Sequence, residues 1–110
     1  KYVLSNLGDT YDVLATEQSL WMWQLLEFND LDLDVILKKD VRVYLEFKKK
    51  RSKSEFHLVE EGETLYAISQ LHGLRLAKLE HKNRLERGEG IEIGQKIFLR
   101  KRKPKNYSAE

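Results

Sequence analysis

The chain has 110 residues, 20 basic and 18 acidic, with no cysteine and a single proline. That length holds one ordinary domain or two very small ones and argues against a core large enough to enclose a cofactor. Without cysteine there is no disulfide framework, thiolate zinc site or cysteine nucleophile, and the longest charge-free stretch, Gln18 to Leu26, is nine residues, where a bilayer span needs about 20. No leader is visible and the first residue is Lys1, so the chain reads as an excised piece whose targeting segment lies elsewhere.

Shifted on itself by 54 residues, the sequence comes into register without a gap, giving nine identities in 48 positions between 2–49 and 56–103. Identity at that level is weak evidence, but the turn glycine, the apolar pattern and the closing strand match together, which argues for two diverged copies of one unit. In chain order, Gly8-Asp9-Thr10 falls on Gly62-Glu63-Thr64, Val13-Leu14 on Ala67-Ile68, and Leu20 on Leu74. Met22 then falls on Leu76, Leu25 on Leu79, Asn29 on Asn83, Leu31 on Leu85, and Val43-Tyr44-Leu45 on Ile97-Phe98-Leu99. Charge repeats as well. Residues 1–47 carry net −5 and 48–53 carry +5, while 54–99 carry −2 and 100–105 carry +5. Each copy is thus an acidic body followed by a basic run, and the first run reads as a hydrophilic linker.

The second copy is the more legible. Phe56-His57-Leu58-Val59 predicts a short strand entering the turn Glu60-Glu61-Gly62. Thr64 stands as an N-cap, with Leu65, Ile68 and Leu71/His72 at helical spacing, and Gly73 ends that helix. Leu76 and Leu79 mark a second helix to about Asn83. A loop with Gly88 and Gly90 follows, then the turn Ile93-Gly94-Gln95-Lys96 and a closing strand, Lys96 to Leu99. The predicted order is strand, helix, helix, strand, with the strands antiparallel and both helices on one face.

With Val59-Glu60-Glu61-Gly62-Glu63-Thr64-Leu65, Ile68-Ser69, Gly73, Leu79, Asn83, Leu85, Ile91 and Ile93-Gly94-Gln95-Lys96-Ile97, the second copy closely resembles a LysM (lysin motif) domain over 57–99. The first copy resembles it through Gly8-Asp9-Thr10, Val13-Leu14, Leu25, Asn29 and Val43-Tyr44-Leu45. It departs at Ser19, Asp40 and Val41, which replace the residues matching Gly73, Gly94 and Gln95. The resemblance implies an α+β fold of two βααβ modules: a divergent repeat at 1–47, a basic linker at 48–55, a LysM repeat at 56–100 and a basic tail at 101–110. It further implies binding of N-acetylglucosamine-containing glycan, peptidoglycan or chitin-like, as the non-catalytic targeting part of a wall-active protein such as a glucosaminidase or amidase. Under that implication the location is extracytoplasmic, no cofactor is needed, and the partners are the glycan and an upstream catalytic domain.

Other chemistry fares poorly. His57, His72 and His81 form no H-E-x-x-H pair, so a metal site is disfavoured. Gly88 and Gly90 follow a helix instead of opening one, which excludes a phosphate loop. The acidic run Asn29 to Asp34 lacks the glycine and the glutamate of a calcium loop and reads as a solvated loop. The two basic runs contain no interleaved aromatic, so solvated segments are preferred to a nucleic-acid site. Trp21 and Trp23 align with Arg75 and Ala77 and cannot share a helix face. At least one lies outside the small core, where packing on another part of the protein is favoured over a secondary sugar site.

The site implied by the resemblance is a shallow groove between the loop Gly62, Glu63, Thr64, Leu65 and the stretch from Asn83 to Gly94, with Leu85 and Ile91 covering an acetyl methyl. Gly62 suits close backbone approach to ligand. Asn83 has two readings, ligand contact or a side-chain bond closing the helix–loop junction. The alternative function is a protein-docking module that has lost sugar binding.

Overall fold

The structure, a computed structural model, describes residues 1–107. The chain divides into two compact units, Lys1–Lys48 and Lys49 onward. The first contains β1 (Tyr2–Leu4), α1 (Tyr11–Glu17), α2 (Met22–Phe28) and β2 (Arg42–Tyr44); the second contains β3 (Phe56–Leu58), α3 (Leu65–His72), α4 (Leu76–Lys82) and β4 (Lys96–Phe98). Each unit is a βααβ module with one two-stranded antiparallel sheet. Tyr2 pairs with Tyr44 in one, and Phe56 with Phe98 in the other.

Local chemistry explains the elements. Thr10 and Thr64 cap α1 and α3, each hydroxyl accepting the N–H three residues on, from Val13 and Ala67. This satisfies one of the amides that a helix start leaves without an intrahelical partner. Gly73 closes α3 at φ 65°, and Ser19 closes α1 with the same left-handed turn at φ 58°. Four pairs of left-handed residues recur 54 apart, Gly8 and Gly62, Ser19 and Gly73, Asp30 and Arg84, Asp40 and Gly94, whereas Gly88 at φ 84° has no left-handed counterpart at Asp34. At Ser19, Asp30 and Asp40 backbone conformation has therefore been kept where the side chain has not.

The first core is built from Tyr11, Leu14, Ala15, Leu25, Leu26, Leu37 and Val43. The second uses Val59, Ile68, Leu74, Leu79, Ile97 and Leu99, with Leu65 and Ile91 half-buried against it. Each core is closed by a buried asparagine. Asn83 donates from Nδ2 to the carbonyls of Leu79 (2.8 Å) and Phe98 (2.9 Å), and its Oδ1 accepts from the Phe98 amide (2.6 Å). Asn29 makes the same three bonds to Leu25 and Tyr44. The side chain thus joins the end of the second helix to the last strand.

Two expectations are revised. Met22 is 38% exposed although its counterpart Leu76 is buried; Leu26, aligned with Glu80, enters the first core instead. The 48–55 stretch is also not simply solvated. Lys48 is buried and paired with Asp30 at 2.7 Å, and its desolvation holds the ammonium pKa below the ordinary lysine value, against the opposing pull of Asp30. The backbone of Lys49 bonds to Gly73 and Arg75, forming a parallel bridge with Leu74.

Candidate functional site

In the second unit a groove of about 450 Å³ opens between the start of α3 and the loop before β4. One wall is Glu63, Thr64, Leu65 and Tyr66; the other runs from Arg87 to Ile91, with Leu76 and Glu80 also lining it. Thr64 and Leu65 are there because the N-cap turns the chain at the mouth of α3. Glu80 is nearly buried and holds Arg87 in a two-point ion pair, Nε to Oε2 at 2.6 Å and Nη2 to Oε1 at 3.1 Å. This fork-to-carboxylate geometry ties the loop to α4.

Of the residues anticipated from the sequence, Glu63, Thr64, Leu65 and Ile91 line this groove. Gly62 lies in the adjoining turn, in which the Glu63 amide donates to the Glu60 carbonyl at 3.2 Å. Its φ of 80° is reason enough for glycine, since a Cβ there would meet nothing within 4 Å. Leu85 is half-buried beside α4, and its amide donates to the Glu80 carbonyl at 3.0 Å. It is not among the groove's lining residues. Asn83 is buried, and its side-chain amide is engaged in the clamp to Leu79 and Phe98. Gly94 also lies elsewhere. It sits in the turn before β4, beside a separate hollow with Leu58, Gln95 and Lys96, and its amide bonds to Val59.

One constellation was invisible in the sequence. His57 Nε2 lies 2.8 Å from the Glu63 carboxylate, and His57 Nδ1 lies 2.9 Å from His72 Nε2. The carboxylate only accepts, so His57 donates to it through Nε2–H; in the neutral ring Nδ1 then accepts from His72. Glu63 also accepts from the Glu60 amide at 2.7 Å. These bonds, that from His57 foremost, hold the Glu63 carboxyl below its ordinary pKa. Its carboxylate therefore fixes the groove wall. Spacings of 6 and 15 residues across a turn and a helix gave no local signal. No group of three metal-ligating side chains comes together among the described residues.

The first unit has the same walls, but they are zipped together. Asp34 Oδ1 accepts from the Tyr11 amide at 2.7 Å and Oδ2 from the Asp12 amide at 3.2 Å, at the start of α1. Thr10 and Ile36 form an antiparallel bridge, Leu37 donates to the Asp9 carbonyl at 2.7 Å, and Gly8 donates to Leu37 at 2.9 Å. Part of the acidic run read as a solvated loop thus closes the cleft. In the second unit Gly88 stands where Asp34 stands, and no such pairing links 62–64 to 90–91 among the described residues. Trp21 and Trp23 are 70% and 61% exposed, so neither belongs to the core.

Residues 57–100 match the LysM domain family. A LysM domain accordingly occupies that span, and such domains are non-catalytic carbohydrate-binding modules of the peptidoglycan and chitin class. Among solved structures, the crystal structure of the Bacillus cereus spore cortex-lytic enzyme SleL is similar, with a TM-score of 0.42 and 24% identity. The similarity covers 92% of this chain but 22% of that one, so the chain spans about a fifth of the enzyme's length. No curated protein matches the chain. No helix among the described residues is long and apolar enough to cross a membrane.

Proposed function

We propose that the groove of the second unit binds an N-acetylglucosamine-containing glycan of peptidoglycan or chitin type. The observation that carries this reading is the open cleft at Gly88, where the first unit places Asp34 across the amides that start α1. An acetamido carbonyl is an acceptor as Asp34 is, and the Leu65 amide, which matches the Tyr11 amide in the other copy, would be its donor. Leu65, Leu76 and Ile91 supply apolar surface for the acetyl methyl, and the Thr64 hydroxyl can donate to a ring oxygen while its own oxygen caps α3. A cleft that sets apolar surface beside polar groups suits a small sugar.

The first unit is read as a divergent LysM-like repeat, supported by the 54-residue recurrence of its left-handed turns and its asparagine clamp. With its cleft closed, it contributes little to sugar binding. The exposed Trp21 and Trp23 favour a docking role for this unit, which is the alternative reading for the chain. In the wider protein the chain targets a wall-active catalytic domain, a glucosaminidase among the candidates, in an extracytoplasmic setting. The LysM match supports that context.

Titration of the chain with chitin oligomers and with peptidoglycan fragments tests the reading. Amide shifts are expected at Leu65, Gly88, Gly90 and Ile91, with micromolar to millimolar affinity, about −8 to −4 kcal/mol. Shifts confined to Trp21 and Trp23, or none at all, would refute the groove as the site.

A further inference from the structure

Away from the groove, the second unit gathers cations. The run 100–105 lies along the fold instead of trailing from it: the Lys103 amide donates to the Lys82 carbonyl at 2.7 Å, and Arg84 Nε donates to the Lys103 carbonyl at 2.9 Å. Tyr107, just beyond, packs edge-on against Phe98 at 5.2 Å. The Lys82 ammonium in turn bonds the Lys50 carbonyl, bringing in the 49–53 run. Arg100 pairs with Glu55, whereas Lys101, Arg102 and Lys105 are exposed and form no ion pair among the described residues.

Like charges held this close repel, and Lys82 registers it: burial first, then Arg51 and Lys78, lower its pKa. The fold spends hydrogen bonds to keep these groups together, which is costly unless a polyanion offsets the repulsion. Charge is segregated within the unit, for the groove carries Glu63, Glu80 and Glu89 against Arg87 alone. The chemistry of the anion also follows. Guanidinium groups at Arg51, Arg84 and Arg102 suit the planar, two-point recognition of phosphate. Beside this run the rings are already covered for stacking by nucleobases: Lys96 lies over Phe56 at 4.4 Å, and Lys103 over Tyr107 at 5.5 Å.

We propose that this basic face, formed by the end of α4, Arg51 and the docked 100–105 run, binds a linear phosphodiester polymer lacking bases, of the polyol-phosphate kind. The proposal is independent of the groove and its glycan.

Calorimetry on the whole chain tests it with three probes: poly(glycerol phosphate), single-stranded DNA with the same number of phosphates, and phosphatidylglycerol vesicles. Polymer binding is expected to fall on the order of 10–1,000-fold between 50 and 200 mM salt, as counterion release by a few contacts dictates. The K101E/K105E double variant and, on a separate element, K78E should each weaken it about tenfold, roughly the effect of losing one or two such contacts. Retained amide dispersion and unchanged binding of chitin oligomers would show that neither the fold nor the groove is at fault. Undiminished polymer binding in both variants, tighter binding of the DNA, or binding of vesicles alone would overturn the proposal.

Discussion

Asp34 accepts the backbone N–H of Tyr11 at 2.7 Å, across 23 residues of sequence, and so locks the first unit's last loop onto the start of its first helix. The same carboxylate reaches Asp12 and Val35, so three amides depend on it. Asp34→Ala should destabilise the first unit by about 1–2 kcal/mol, the usual cost of losing a helix cap. Denaturant unfolding measures the loss. Faster exchange of the Leu37 amide, which donates to Asp9, should accompany it. An unchanged midpoint would mean the zipper holds without Asp34.

Gly94→Asp copies the residue found at position 40, where Asp40 adopts φ 62°. Gly94 stands at φ 83° in a turn remote from the groove, and a Cβ there meets nothing within 4 Å. The substitution should therefore cost about 1 kcal/mol of stability, the scale of a left-handed non-glycine residue. Glycan affinity should be unaffected. Thermal melts paired with oligosaccharide titration check this; a selective loss of affinity would return Gly94 to the site.

Asn83→Ala should be far more damaging. It strands the Phe98 carbonyl and amide in the interior, while the Leu79 carbonyl keeps the backbone amide of residue 83 as its donor. At about 1–3 kcal/mol for each buried group left unpaired, a loss of roughly 3 kcal/mol or more is expected. Urea titration of the second unit's amide signals reads it directly. A mild effect on folding coupled to lost glycan binding would favour the ligand-contact reading of this residue instead.

Sequence alone was enough for the architecture because the caps and the period are local. Thr64 and Gly73 are each read from their immediate neighbours, and the shift of 54 residues exposes the rest. The site was less legible. Glu63, Thr64, Leu65 and Ile91 line one groove, but Gly94 serves a turn and Asn83 a clamp to Phe98, fifteen residues away. Arg87 and Glu80 escaped notice because opposite charges seven apart on a helix and its following loop look like ordinary solvated residues. Asp34 escaped for the same reason. Its role depends on where α1 begins, which no window around the acidic run contains.

The Glu63 carboxyl ionises at lower pH in the fold than in the unfolded chain, owing to His57 and then the Glu60 amide. Its stabilising contribution is complete above the ordinary glutamate pKa of about 4.3, and is lost as pH falls through the lowered folded value. Stability of the second unit should therefore decline in that acid range, and Glu63→Gln should flatten the decline. Melting temperatures at pH 2–6 for both proteins give the comparison. Identical acid limbs would mean that His57 does not hold the carboxylate.

The pairing of Phe56 with Phe98 puts the module's entry and exit strands side by side at one edge of the sheet. Hydrogen bonds in an antiparallel pair run perpendicular to the strands. Tension applied between residues 55 and 99, as when a tethered protein drags on an anchored polymer, therefore loads those bonds one after another from that edge. The first resistance is the bond from the Leu99 amide to the Glu55 carbonyl at 2.8 Å, followed by the edge-on contact of the two phenylalanine rings at 5.0 Å. The next is Asn83, which ties the same Phe98 backbone to α4. Under load the module is thus expected to yield as a zipper with one reinforced tooth, and that tooth is an amide side chain.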